Sequence, residues 1–470
     1  MTGSLIYDTR AGVCARVRIR RRCRAARRMA FAMVVLSTEE GRDAARAFGR
    51  RIVLIAVAMC AALVPLLPMN EMKVHGTFAA GLVLLAGVCA SLWWGERLRS
   101  TVLDAPVLTF FGAAIASTIF GVNPRVSLIP SPGRGEGLLD YVVFLPMALA
   151  AARLSRTEAR EILSALLGAG ALIGAIGVGQ YYGVDVTPLI GSRGFDYGLH
   201  SWSTLSNPDF LGGYAALVLP VGLAMAAGAR EPGQWWGYAS ASTLLYAALL
   251  ASQTRSAWAA MAVAAVVLLW HLPRTAAAYR RLALLGLVFA AVTTVMAVTQ
   301  PRVSLGIRAT SAFNPNDSSM QGKLWIWEHS LVMIRERPVL GWGFSAVEGH
   351  LPGIGTPDYV RVFGQSPVVI DVAHNDLLQV AVNMGLLGLA AYLWIWLTAV
   401  RAAHGAARGF PFPVGFETVG ILAGLTAYFV WLQFLWSHIG DTNVFWVVAG
   451  IAVSLRRAAR DPGAGRRSTT

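Results

Sequence analysis

The chain has 470 residues, 56% hydrophobic and only 14% charged, with a mean hydropathy of +0.55. A soluble domain carries about a quarter charged residues, so a soluble globular enzyme, a disordered chain and a disulfide scaffold are excluded. The net charge of +15 does not indicate nucleic acid, because no aromatic residue interleaves the arginines from Val13 to Arg28.

Residues 1–51 hold 13 of the 40 basic residues. They read as a cytoplasmic arm under the positive-inside rule, compatible with anionic lipid. A basic stretch this long is a poor start to a cleavable signal peptide, and translation from Met29 or Met33 is an alternative. Apolar runs then recur along the chain. They predict an all-α integral membrane protein of about 12 transmembrane helices. The expected spans are 52–68, 76–94, 102–120, 138–152, 162–182, 210–229, 235–251, 257–272, 282–299, 377–400, 415–436 and 443–455. Helices are the expected element because lipid leaves no other partner for backbone polar groups. The four cysteines, Cys14, Cys23, Cys60 and Cys89, imply neither a disulfide framework nor a zinc site.

With the N-terminus in the cytoplasm, the inner segments hold 29 basic residues and the outer loops 11. That bias sets the expected topology, with both termini inside. The division that follows is a basic arm (1–51), helices 1–9 (52–299), a large extracytoplasmic loop (300–376), helices 10–12 (377–455) and a basic cytoplasmic tail (456–470). Loops as long as 300–376 are usually functional or disordered. This one is partly helical by pattern, since residues 320–337 suit a helix closed by Pro338 and too apolar for a solvated one.

Chemistry is expected on the outer side. Asp104 and Asp140 are the clearest charges within spans, and both lie near predicted ends. So few intramembrane charges count against an ion-coupled transporter. Arg255 sits in a loop of about five residues, QTRS, between two helices, and is therefore held close to the bundle. Lys323 starts the loop helix. Arg193 lies in GSRGFDYGLHSWSTLSNPDFLGGY, and Arg134 in SPGRGEGLLDY. Several cations on one surface suit a phosphate or pyrophosphate. His374 and Asn375 end the large loop, and histidine suits proton transfer near neutral pH. Gly385 and Gly388 lie three residues apart in the next span, where small residues let helices pack closely.

In this order, SNPDFLGGY, TRSAW, GKLWIWEHSLVMIRERPVLGWGF and HNDLLQVAVNMGLLG, the chain resembles the O-antigen ligase and polymerase superfamily of bacterial multi-spanning glycosyltransferases. The resemblance runs from about Arg134 to the end and is sharpest over 203–390. His374, Asn375, Gly385 and Gly388 match the ligase pattern of histidine, polar residue, nine residues, glycine, two residues, glycine. The resemblance implies a GT-C-like fold and an undecaprenyl-pyrophosphate-linked glycan donor. It also implies transfer to an acceptor hydroxyl at the outer face of the cytoplasmic membrane, with no metal or other cofactor. The acceptor would be a lipid A core, another glycan or a protein side chain. His374 takes the base role, and Arg255 a pyrophosphate role together with Lys323, Arg193 and Arg134. Lys323 stands where relatives often carry arginine, which keeps the charge but loses the bidentate fork. Asn375, Gly385 and Gly388 are then a helix-packing motif. A single in-line attack would invert the anomeric centre. A transporter of lipid-linked glycans is the reading from another class, and a structural subunit of an export complex a third.

Overall fold

The computed structural model describes residues 38–129, 137–191, 200–299, 305–311, 314, 317–347, 350–351, 356–364, 369–409 and 415–460. Among the described residues the chain is helical and contains no strand. A helix covers each of the twelve expected segments. Six are long and apolar enough to cross a membrane by length and composition, namely Glu39–Leu66, Asn70–Trp93, Arg156–Tyr181, Pro208–Ala227, Ala276–Thr299 and Asp376–Gly409. Four shorter apolar helices are Asp104–Phe120, Leu138–Ala151, Arg255–His271 and Phe416–Leu432. Pro232–Ser252 and Ile439–Arg460 complete the set.

In chain order, α1 is Glu39–Ala58, extended to Leu66 through π and 3₁₀ turns at Pro65, and α2 is Asn70–Trp93. Next come α3 (Asp104–Phe120), the short α4 (Pro124–Leu128), α5 (Leu138–Ala151) and α6 (Arg156–Tyr181). Then follow α7 (Pro208–Ala227), α8 (Pro232–Ser252), α9 (Arg255–His271) and α10 (Ala276–Thr299). The large loop carries α11 (Leu305–Thr310), α12 (Ser318–Glu336) and α13 (Pro357–Phe363). The chain closes with α14 (Asp376–Gly409), α15 (Phe416–Leu432) and α16 (Ile439–Arg460). The expected loop helix at 320–337 is α12, capped by Asp317, whose side chain accepts from Met320 N.

The described chain forms two compact units. One joins the start of α1, up to Val53, to Leu84–Leu98, and within it Arg46 Nε donates to the Trp94 carbonyl. The other comprises Leu54–Val83 and Arg99 onward, and holds everything below. Its centre is α7, whose apolar window is wholly buried, whereas that of α10 is only 11% buried. The difference assigns α7 to the middle and α10 to the periphery. α8, α9 and α15 pack around α7. Close approach to α15 depends on Gly424, where a methyl group would stand 2.3 Å from the Leu217 carbonyl oxygen.

Two helices start earlier than expected, and that moves charges inward. α2 begins at Asn70 rather than 76, so Lys73, assigned by the span boundaries to a loop, is fully buried. Its Nζ donates to the Thr204 carbonyl at 2.6 Å. α16 begins at Ile439 rather than 443, which buries Asp441 completely. Asp140 is fully buried as expected of a span residue, and Asp104 pairs with Arg153 at 2.8 Å.

Candidate functional site

The site begins where α7, α9 and α14 start and α8 and α15 end. Asn207 opens α7 by accepting from Asp209 N, with Pro208 at the first helical position. The turn between α8 and α9 is tight because Gln253 takes a left-handed conformation (φ +54). Thr254 Oγ1 then reaches the Pro208 carbonyl and Asp209 Oδ1, each at 3.1 Å. This fastening sets Arg255, first residue of α9, beside the start of α7.

Arg255 is not a free cation. Its guanidinium forks Asp317, with Nη1 to Oδ2 and Nη2 to Oδ1 both at 2.9 Å, and Nη1 also donates to Ser311 Oγ at 3.1 Å. The Arg255 hydrogen bonds hold the Asp317 carboxyl below its usual range. Arg308 joins the same end of the bundle by donating from Nε to the Gln253 carbonyl at 3.1 Å. Lys323, one turn into α12, is shielded from solvent, and burial lowers its ammonium pKa. Asp209 and Asp317 counter that shift, while the charges of Arg255 and Arg308 add to it. Three cations and two carboxylates thus act on one another, leaving one positive charge in excess.

His374 stands next to this cluster. Burial, and then the charge of Lys323, push its imidazole down to about 3, so it is neutral at physiological pH. Its backbone is left-handed (φ +47), a conformation that costs a non-glycine residue about 1–3 kcal/mol and recurs at functional sites. Two tryptophans hold it there. Trp327 Nε1 donates to the His374 carbonyl at 3.3 Å, and Trp436 meets the imidazole edge to face at 4.8 Å. His374 Nδ1 is buried and has no partner among the described residues.

Asn375, Gly385 and Gly388 do other work than packing one helix on another. Asn375 caps α14, accepting from Leu378 N at 3.1 Å, and its amide donates to the Gln433 carbonyl at the end of α15. Gly385 breaks α14 (φ +66, ψ −171). The loop segment after α12 fills the break. Leu386 N donates to the Pro338 carbonyl at 2.7 Å, and Trp342 N and Gly343 N donate to the Val382 and Asn383 carbonyls at 2.8 and 2.9 Å. A methyl on Gly385 would lie 2.2 Å from the Val339 oxygen, so only glycine fits. On Gly388 a methyl would first meet Met384 of its own helix. Of the three, Gly385 is the one that shapes the seam between loop and bundle. Arg193 and Arg134 lie outside the described residues.

The sequence reading missed Asp209, Asp317 and the third cation Arg308, because partners brought together from separate segments leave no spacing signal. It also missed Trp436, which comes from the far end of α15. A small recess beside the first turns of α14 is lined by Tyr141, Phe344, Asp376, Gln379, Asn383 and Ser437, among others. Asp376 is fully engaged there, accepting from Ser437 and from the Tyr392 hydroxyl at 2.6 Å.

Comparison with known proteins bears on this site. Residues 240–393, about a third of the chain, match the family model described as O-antigen ligase. Over 82 residues the chain is also 37% identical to uncharacterized MFS-type transporters of Burkholderia mallei (strain SAVP1) and Burkholderia pseudomallei (strains 668 and K96243). That similarity covers 17% of this chain and 20% of each relative, so the chain spans about a fifth of their length. The family match, by contrast, contains Arg255, Lys323, His374, Asn375, Gly385 and Gly388 together. Over residues 240–393, where these six residues lie, the chain is similar to the O-antigen ligase family.

Proposed function

We propose that this protein is a membrane glycosyltransferase of the O-antigen ligase type, acting at the outer face of the bacterial cytoplasmic membrane. The donor is a glycan on undecaprenyl pyrophosphate, and the acceptor is a hydroxyl of a lipid A core, another glycan or a protein. The observation that carries the reading is the convergence of Arg255, Lys323 and His374 at one end of the bundle, with Lys323 acting directly on His374. A transporter would instead need its cations strung along a path through the bilayer.

The chemistry follows from the groups present. The acceptor oxygen attacks the anomeric carbon, and the bond to the pyrophosphate oxygen breaks. The hydroxyl proton passes to the imidazole of His374. One displacement inverts the anomeric centre. Lys323 and Arg308, with Arg255 once it turns from Asp317, stabilise the departing diphosphate without a metal. A free imidazole near 3 is a weak base. A bound diphosphate neutralises the Lys323 charge, which raises the imidazole pKa when the proton must move. A positioned base contributes about 10²–10⁴ in rate. Topologically, both termini lie in the cytoplasm, twelve helices cross in a GT-C-like arrangement, and the 300–376 loop covers the site.

The test is complementation by His374→Ala in a strain lacking its own enzyme, with surface glycan read on a gel and expression by blotting. Loss of transfer at normal expression is expected. Accumulated lipid-linked polymer would mark a ligase or protein glycosyltransferase, and accumulated single repeat units a polymerase. Full activity would overturn the base assignment and return the transporter reading to first place.

A further inference from the structure

Away from the transfer site, α6, α7 and α15 meet at the opposite end of the bundle. There α6 begins at Arg156, α7 ends at Ala227 and α15 begins at Phe416. The 20 residues of α7 span about 30 Å at 1.5 Å per residue, the thickness of a bilayer hydrocarbon core. At that far end lies a shallow, partly open recess lined by Arg156, Arg160, Arg230, Glu417, Phe416 and Met225.

Its charges are unevenly matched. Glu417 is 94% buried, its carboxylate walled in by the start of α15 (6% exposed). Arg160 Nε stands 3.4 Å from Oε1, and Arg156 Nη2 stands 3.9 Å from Oε2. Both exceed the roughly 2.7–2.9 Å of a charge-assisted hydrogen bond. Oε2 accepts no hydrogen bond from any described residue. Arg156, Arg160 and Arg230 therefore all face the one Glu417 carboxylate. The N-terminal ends of α6 and α15 add partial positive charge at the same place. The side chain of Arg160 remains 35% exposed, open to a ligand.

The cations call for an anion and the buried oxygen for a donor. We propose that this recess binds a phosphate group, whose oxygens accept from Arg160 and Arg230 while a hydroxyl or ammonium on the same molecule donates to Glu417. Phospholipid headgroups and soluble phosphate esters share that chemistry. A headgroup fits the depth, one hydrocarbon thickness from the transfer site.

The experiment uses the full chain, delipidated in detergent and titrated separately with phosphatidylglycerol and inorganic phosphate, with thermal melting as readout and native mass spectrometry for retained lipid. Wild type is expected to melt higher with phosphatidylglycerol. The Arg160→Gln/Arg230→Gln double variant should lose at least about tenfold in affinity, while Arg280→Gln, exposed on α10, should not. Glu417→Gln removes the competing carboxylate and should bind inorganic phosphate more tightly than wild type, a gain that misfolding cannot mimic. A response to phosphatidylglycerol alone assigns a lipid headgroup, and a response to both probes assigns any phosphate. No response of wild type to either probe, or equal losses in the double variant and Arg280→Gln, would overturn the proposal.

Discussion

His374 gathers the features of the site in one residue: a strained backbone, a neutral imidazole and a lysine whose charge keeps it so. Because burial is the larger cause and Lys323 the smaller, Lys323→Gln should move the acid limb of the pH–rate profile upward only part of the way to the ordinary histidine value. An unshifted limb would mean that His374 does not set it. The sign for stability follows. The fold resists protonation of His374, so this residue costs no stability above about 6.5 and destabilises progressively as pH falls from there toward about 3. Melting of His374→Gln should accordingly be less sensitive to acid than wild type. Asp317 offers a second test. Asn also caps helices well, so Asp317→Asn should keep α12 while freeing the Arg255 fork. Donor KM should then fall severalfold with little change in kcat. A raised KM would show that Asp317 orients Arg255 rather than competing for it.

α14 is the element that most departs from expectation. The pattern read as one span with two packing glycines, yet the helix opens at Gly385 to admit the segment after α12. Gly385→Ala would place a methyl against the Val339 carbonyl in a left-handed conformation, costing at least about 1–3 kcal/mol. The damage should appear first as protease cleavage between Pro338 and Phe344, before any loss of the bundle. A variant as resistant as wild type would show that the seam tolerates displacement. α12 itself was legible, since residues 320–337 suit a helix and Pro338 closes it. Its attachment to α14 was not, because the bonds that make it run between backbone groups, which any sequence supplies.

On the scale of the whole chain, every expected apolar segment is helical, but helix and crossing are separate statements, and the twelve-span topology needs its own test. In a background free of native cysteines, Leu189→Cys, highly exposed in the loop after α6, should react with an impermeant maleimide in intact cells. Arg280→Cys should react only after permeabilisation. The swapped pattern would reverse the topology, and labelling of both in intact cells would remove a crossing between them. The sequence alone determined that the chain is helical and apolar enough for a membrane, which charges crowd its loops, and that His374, Arg255 and Lys323 belong to one motif series. Hydrophobic periodicity and loop charge are local properties, so they can be read locally. Only the tertiary structure decided that Asp317 holds Arg255, that Lys73 and Asp441 lie inside the bundle, that Gly385 is a break, and that three arginines meet Glu417 at the opposite end. Each depends on residues tens to hundreds of positions apart being brought within a few ångströms, and no pattern along the chain encodes that distance.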